Sequence, residues 1–205
     1  MLLTILIVGI VLIFIFKFFK ELQNFSPDVP DLEKYKTILD VLLRSTGNST
    51  TTQIDKIIVS NFGIFCIEEK ALNGWIYGNV ESKYWKQFLQ SKEFKFYNPF
   101  RQNYAHVKAL EVLLGNHLNA PIVSLVAFTR ADKIKVSGTD LVGDQVRIDE
   151  IIKSYTREVY CDEERDYIFD LIGRANIENR EERIRHDIQV EEIQKAKNSY
   201  LSRHL

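Results

Sequence analysis

With 205 residues, 45% hydrophobic and 27% charged, the chain has room for one apolar segment, one globular domain and a helical tail, and excludes a second full domain. A net charge of −1 excludes a global pull toward nucleic acid, so any such attraction must be local. Two cysteines in unlike contexts, Cys66 and Cys161, exclude a disulfide framework and agree with a reducing compartment.

In chain order, the first element is apolar. From Leu2 to Phe16 only Thr4 and Gly9 interrupt the run, which reaches Phe19 once Lys17 snorkels its amine outward. Residues 1–20 therefore read as a transmembrane helix. A signal peptide fits poorly, because no basic region precedes the run and no small-residue cleavage site follows it. Lys17 and Lys20 lie just after the span, so the bias of cationic flanks predicts a single-pass membrane protein with its C-terminal bulk in the cytoplasm. Residues 21–34, with Pro27 and Pro30, read as an extended tether.

Short β-branched stretches follow at Thr37 to Leu43, Gln53 to Val59, Ile64 to Glu69 and Trp75 to Tyr77, and predict an antiparallel meander whose first loop is Ser45 to Ser49. Asn98-Pro99 predicts a capped helix running to about Gly115, with Phe100, Tyr104, Val107 and Leu114 on its apolar stripe. Pro121 to Thr129 reads as a buried strand of a mixed sheet, and Ile134 to Val136 as a weaker one. From Arg147 onward the pattern is helical, and Arg174 to Leu205 reads as a solvated tail helix.

Chemistry concentrates at three residues. Asp55 interrupts an apolar strand pattern where an unpaired carboxylate is costly, so a partner or a metal is expected beside it. On the next strand Glu68 and Lys70 share one face, while Ile67 and Glu69 share the other. Two acids and an ammonium so placed are a set that can hold a divalent metal against a phosphodiester. Lys83 to Lys108 supplies local positive charge: six basic residues against Glu93, interleaved with Tyr84, Trp85, Phe88, Phe94, Phe96, Tyr97 and Tyr104. Such a segment can track a nucleic-acid backbone and stack bases, or its rings can be core and its lysines solvated strand ends.

Taken in order, Thr52-Gln53-Ile54-Asp55, Gly63-Ile64-Phe65, Ile67-Glu68-Glu69-Lys70, Gly74-Trp75-Ile76-Tyr77-Gly78, Tyr84-Trp85 and Phe96 to Asn103 with His106 resemble the nuclease-related (NERD) domain of the PD-(D/E)xK endonuclease-like superfamily, over roughly Tyr35 to Phe128. The resemblance implies an α/β (α+β) fold with a restriction-endonuclease-like mixed sheet flanked by helices. It implies Asp55 and Glu68 as ligands of Mg²⁺ or Mn²⁺, Lys70 as the group that positions water and stabilises charge on the phosphate, and Gln102, one turn before His106, as an auxiliary site residue. Two features depart from the pattern. Lys56 follows Asp55 where similar domains often carry His, and the span and tether occupy the stretch where they carry a helix with a Gly-Glu pair. Neither Glu21 nor Glu33 follows a glycine.

The expected organisation is a transmembrane helix over 1–20, a tether over 21–34, a nuclease-like domain over 35–145 and a helical region over 146–205. The expected function is membrane-anchored, metal-dependent endonucleolytic hydrolysis of DNA or RNA. The alternative is a catalytically impaired nuclease-fold module that binds nucleic acid or a protein partner at the membrane.

Overall fold

The protein is described by a computed structural model over residues 34–45 and 51–203. The apolar run over 1–20 and the tether up to residue 33 lie outside the described residues. Among the described residues, no helix is long and apolar enough to cross a membrane.

β-branched residues at alternating positions build β1 (Tyr35–Arg44), β2 (Thr51–Ser60) and β3 (Gly63–Lys70), which pair antiparallel in succession. The β2–β3 turn is closed by the Ser60 hydroxyl, which donates to the Gly63 carbonyl at 3.0 Å and accepts from the Phe62 N–H at 3.2 Å. The β1–β2 ribbon is irregular at its middle. Leu39 pairs with Lys56 and Val41 with Ile54, leaving Asp40 and Asp55 between the paired steps, and Asp40 takes a left-handed φ of 55°. Buried residues of β2 run Thr52, Ile54, then Ile57 and Val59, so the alternation breaks at Asp55-Lys56 and Asp55 emerges exposed. This corrects the expectation that Asp55 lies deep in its strand.

The meander ends at β3, because both its edges are taken: β2 on one side and, in parallel, β7 (Val123–Phe128) on the other. With β9 (Val142–Gly143) beyond β7, the first sheet has the order β1-β2-β3-β7-β9. The fourth predicted strand therefore belongs elsewhere. β4 (Gly74–Asn79) joins β5 (Tyr84–Leu89), β6 (Lys92–Tyr97) and β8 (Ala131–Ser137) in a second sheet of order β6-β5-β4-β8, with β4 and β8 parallel.

Between the sheets in sequence runs α1 (Pro99–Leu114), opened as expected by Asn98, whose side chain accepts from the Phe100 N–H at 2.9 Å. Its buried face is Asn103, His106, Val107, Leu110 and Leu114; Tyr104, predicted on the apolar stripe, is exposed. α1 and α3 (Asp162–Ala175) cover one face of the first sheet, meeting Ile54, Ile57, Val59 and Cys66. α2 (Gln145–Lys153) covers the other through Ile148, Ile151 and Ile152, against Phe65, Ile67, Leu125 and Ala127. The second sheet packs Ile76 and Trp85 against Val126 and Phe128 of β7. Over the described residues the result is a mixed α+β fold with two mixed sheets and four helices.

α4 (Arg180–Arg203) is more than a solvated tail at its start. The segment before it lies along edge strand β1: the Leu42 N–H donates to Asn176 Oδ1 and the Ile177 N–H to the Leu42 carbonyl, both at 2.9 Å. Arg183 then donates to the Asp40 carboxylate and carbonyl at 2.9 Å, and His186 is buried with its Nδ1 2.8 Å from the Thr51 hydroxyl. Ile184, Ile188 and Ile193 remain exposed, as their sparse spacing predicts.

Candidate active site

Glu68 is the centre of a polar cluster on the face of the first sheet that α1 covers. The residue is 1% exposed, a position where a carboxylate needs partners on both oxygens. It has them. The Lys70 ammonium, two residues on along the same face, donates to Oε1, and His106 Nε2 from α1 lies 3.1 Å from Oε2. His106 Nδ1 is in turn 2.6 Å from the Thr52 hydroxyl of β2, so the ring has a partner at each nitrogen. Lys70 also donates to Gln102 Oε1 at 3.0 Å. Gln102 and His106, one helical turn apart, thus hold the ammonium and the acid respectively.

Asn103 sets the position of α1. Fully buried, it donates to the Cys66 carbonyl at 2.8 Å, to the Ser124 hydroxyl at 2.9 Å and to the Leu125 carbonyl at 3.1 Å, and accepts from the Cys66 thiol at 3.1 Å. These bonds tie the helix to both β3 and β7, which fixes the side chains on either side of Asn103 against the cluster.

Asp55 completes the set from β2. Continuing the β2–β3 register places it opposite Glu68, and its Oδ2 accepts the Glu69 N–H at 2.7 Å. Glu69 points to the other side, paired with Lys56 at 2.5 Å. The two acids titrate in opposite senses. Desolvation pushes Glu68 up, but the His106 hydrogen bond, then the charge and hydrogen bond of Lys70, outweigh it, so Glu68 lies below the usual carboxylate range. At Asp55, desolvation of the carboxyl and then the like charge of Glu68 outweigh the Glu69 N–H and the cations, and its pKa is raised although the residue is exposed. Cys66, buried beneath both acids, is pushed well up by burial and their charges and is chemically quiet.

The structure therefore brings Asp55, Glu68, Lys70 and Gln102 together, as the sequence predicts. Sequence reasoning left His106 and Thr52 outside the set of site residues, although the spacing of Gln102 and His106 already placed both on one helix face. Among the described residues, no group of three or more Asp, Glu, His or Cys side chains is arranged to hold a metal. What the sheet supplies is two hard carboxylate donors, one ionised and buried, the other accessible and crowded by like charge, a set that suits a hard divalent cation.

Comparison with known proteins supplies the family. The nuclease-related domain, NERD, matches residues 15–129, reaching further upstream than the motifs between Tyr35 and Phe128. An uncharacterized protein of Bacillus anthracis is 35% identical over 145 residues, which cover 69% of this chain and 68% of that protein. No solved structure matches the chain. On the extent of the domain match and the level of identity to that relative, the chain belongs to the NERD, nuclease-related domain, family.

Proposed function

We propose that the protein is a membrane-anchored, metal-dependent phosphodiesterase acting on DNA or RNA, built on a restriction-endonuclease-like scaffold. The observation that carries this reading is the paired state of Glu68: a buried carboxylate kept ionised by Lys70 and His106, with the accessible Asp55 beside it. The residues that would hold the divalent ion are Asp55 and Glu68; bound there, it would polarise a phosphoryl oxygen and lower the pKa of the attacking water.

The chain's own residues do the rest. Lys70, a quarter exposed at its side chain, is the cation that meets the phosphate, where an ammonium stabilises the charge that develops on the oxygens. Gln102 holds that ammonium in place, and the Thr52–His106 pair orients Glu68 from behind. A solubilised full-length protein incubated with plasmid and with RNA, with Mg²⁺ or Mn²⁺, should nick at least one of them, and Lys70→Ala should lose that activity by about a hundredfold or more. Equal nicking by the two proteins removes the reading.

A second reading has its own support. Both Glu68 oxygens are already engaged by protein groups, and the described residues supply two acids rather than three. A module that binds nucleic acid without cutting it would shift labelled nucleic acid in a salt-dependent way without metal and leave it intact with metal.

Residues 1–20 would anchor the chain with the domain in the cytoplasm. Cys161 is exposed and Cys66 buried, so a membrane-impermeant thiol reagent should label Cys161 in inverted vesicles and spare it in intact cells. Labelling of intact cells would reverse the orientation.

A further inference from the structure

The second sheet carries aromatic residues on both faces, and only one face is core. Strand alternation turns Ile76, Trp85 and Phe96 inward, where they pack with Phe128 and Phe100. The register defines what the other face presents. One cross-strand row is Lys133, Trp75, Phe88 and Glu93; the next is Lys135, Tyr77, Lys86 and Lys95. Trp75 is 48% exposed, and all four lysines are exposed. The Lys133 ammonium lies over the Trp75 ring at 4.7 Å, and Tyr77 meets Phe88 edge to face with centroids 5.4 Å apart. Four lysines stand against one acid, Glu93, which is paired with Lys86.

We propose that this outer face binds single-stranded nucleic acid, with bases stacking on Trp75, Tyr77 and Phe88 while Lys133, Lys135, Lys86 and Lys95 meet phosphates. The proposal rests on the phosphodiesterase reading and names the form of its substrate. An exposed Trp75 ring, flanked by the half-buried rings of Tyr77 and Phe88 and set among ammonium groups, is what an unpaired strand needs, since every base has a face to stack and every nucleotide a charge to neutralise. A duplex keeps its bases stacked on one another and offers nothing to a flat row of rings. A lipid surface fits less well: the second row carries three lysines around Tyr77, so burying the rings among acyl chains would carry ammonium groups in with them. The Lys83 to Lys108 segment thus divides by strand parity, its Trp85 and Phe96 going to the core and its Lys86, Phe88 and Lys95 to this face, joined by residues of β4 and β8.

The experiment uses the full chain in a neutral detergent with EDTA present, so that binding is read without cleavage. The probes are a labelled poly-thymidine strand, a labelled hairpin duplex, and vesicles of phosphatidylcholine with phosphatidylserine. The strand should bind more tightly than the duplex and quench the emission of exposed Trp75, leaving that of buried Trp85. Trp75→Ala should weaken strand binding by roughly five- to a hundredfold. Replacing Lys133 and Lys135 by Ala should flatten the log–log salt dependence by about 0.7 for each phosphate that the variant no longer neutralises. Unchanged strand affinity in Trp75→Ala overturns the proposal, as does equal affinity for the duplex. Loss of vesicle binding by these variants with strand binding intact assigns the face to lipid instead. If the wild type binds the strand but cuts nothing with Mg²⁺, the phosphodiesterase reading falls alone. If it cuts, and Trp75→Ala binds as the wild type does, this inference falls alone.

Discussion

The five-stranded and four-stranded sheets place costly groups on opposite sides of the surface. In the first, charge is drawn inward: Glu68 is buried, and Lys70, His106, Gln102 and Thr52 are arranged so that it remains ionised there. In the second, apolar rings are left outward: Trp75 is half exposed on one face while Trp85, ten residues on, is fully buried on the other. Either feature alone is ordinary; a buried acid can be a structural ion pair and an exposed ring an accident of packing. Together they differ in how far local needs are met. The Glu68 cluster satisfies its own hydrogen bonds and keeps one acid, Asp55, at the rim. The outer face of the second sheet has rings beyond what its core requires.

The two tryptophans give the sharpest way to break that contrast. The Trp85 ring stacks on Phe128 with centroids 6.2 Å apart, donates from Nε1 to the Asn79 carbonyl at 2.9 Å, and leaves no room for a Cβ at Gly78, where the nearest ring atom would be 2.3 Å away. Trp85→Ala should therefore cost about 3–5 kcal/mol, or about 10 °C in Tm. Trp75→Ala on the same sheet should stay within about 0.5 kcal/mol. Calorimetry of the two variants checks this, and comparable losses would mean that the outer rings are structural after all. Glu68→Gln tests the first sheet: it leaves the Lys70 ammonium without its anionic partner and should cost about 1–3 kcal/mol in urea denaturation while abolishing cleavage. A variant as stable as wild type would show that the cluster does not depend on that charge.

Much of this was legible in the sequence, and what was not has identifiable causes. That Glu68 and Lys70 share a face was readable because strand parity is a local rule, and the Asn98-Pro99 helix start carries its own signature; Gln102 came in only through the resemblance to the nuclease-related domain. The β5–β6 hairpin was not readable. Its two-residue turn is Gln90-Ser91, with Gln90 at φ 56° where glycine or asparagine would announce the bend. The destination of β4 was hidden because it depends on β7 occupying the free edge of β3, a pairing between segments far apart in sequence. The docking of α4 was invisible to hydrophobic periodicity because polar side chains make it. Arg183 alone donates to Asp40, Asn176 and Ile177. Arg183→Ala should accordingly cost about 1–2 kcal/mol, and Arg183→Lys should recover little, since an ammonium cannot make the same forked contacts. Faster proteolytic release of the C-terminal helix would report the loss; unchanged release would mean that His186 and Ile177 hold the helix without it.

The smallest expected effect is at Asp55, and its value lies in a sign opposite to that at Glu68. Glu68 has a folded-state pKa below its ordinary 4.5, so its ionisation contributes stability at neutral pH that is lost as pH falls through the folded value. Asp55 has a folded-state pKa above its ordinary 3.8, so its ionisation costs stability at neutral pH, and that cost disappears as pH falls below 3.8. Asp55→Asn, which keeps an oxygen to accept the Glu69 N–H, should therefore stabilise the protein at neutral pH by a few tenths of a kcal/mol while removing one of the two proposed metal ligands. Glu68→Gln should destabilise it at the same pH, and both variants should approach wild type as the solution is acidified. Urea denaturation curves collected from neutral pH down to about 3 separate the two, because the differences have opposite signs and both close in the acid range. If Asp55→Asn were instead destabilising at neutral pH, the Asp55 carboxylate would be held by favourable contacts rather than crowded by Glu68, and the case for a cation between them would lose its electrostatic basis.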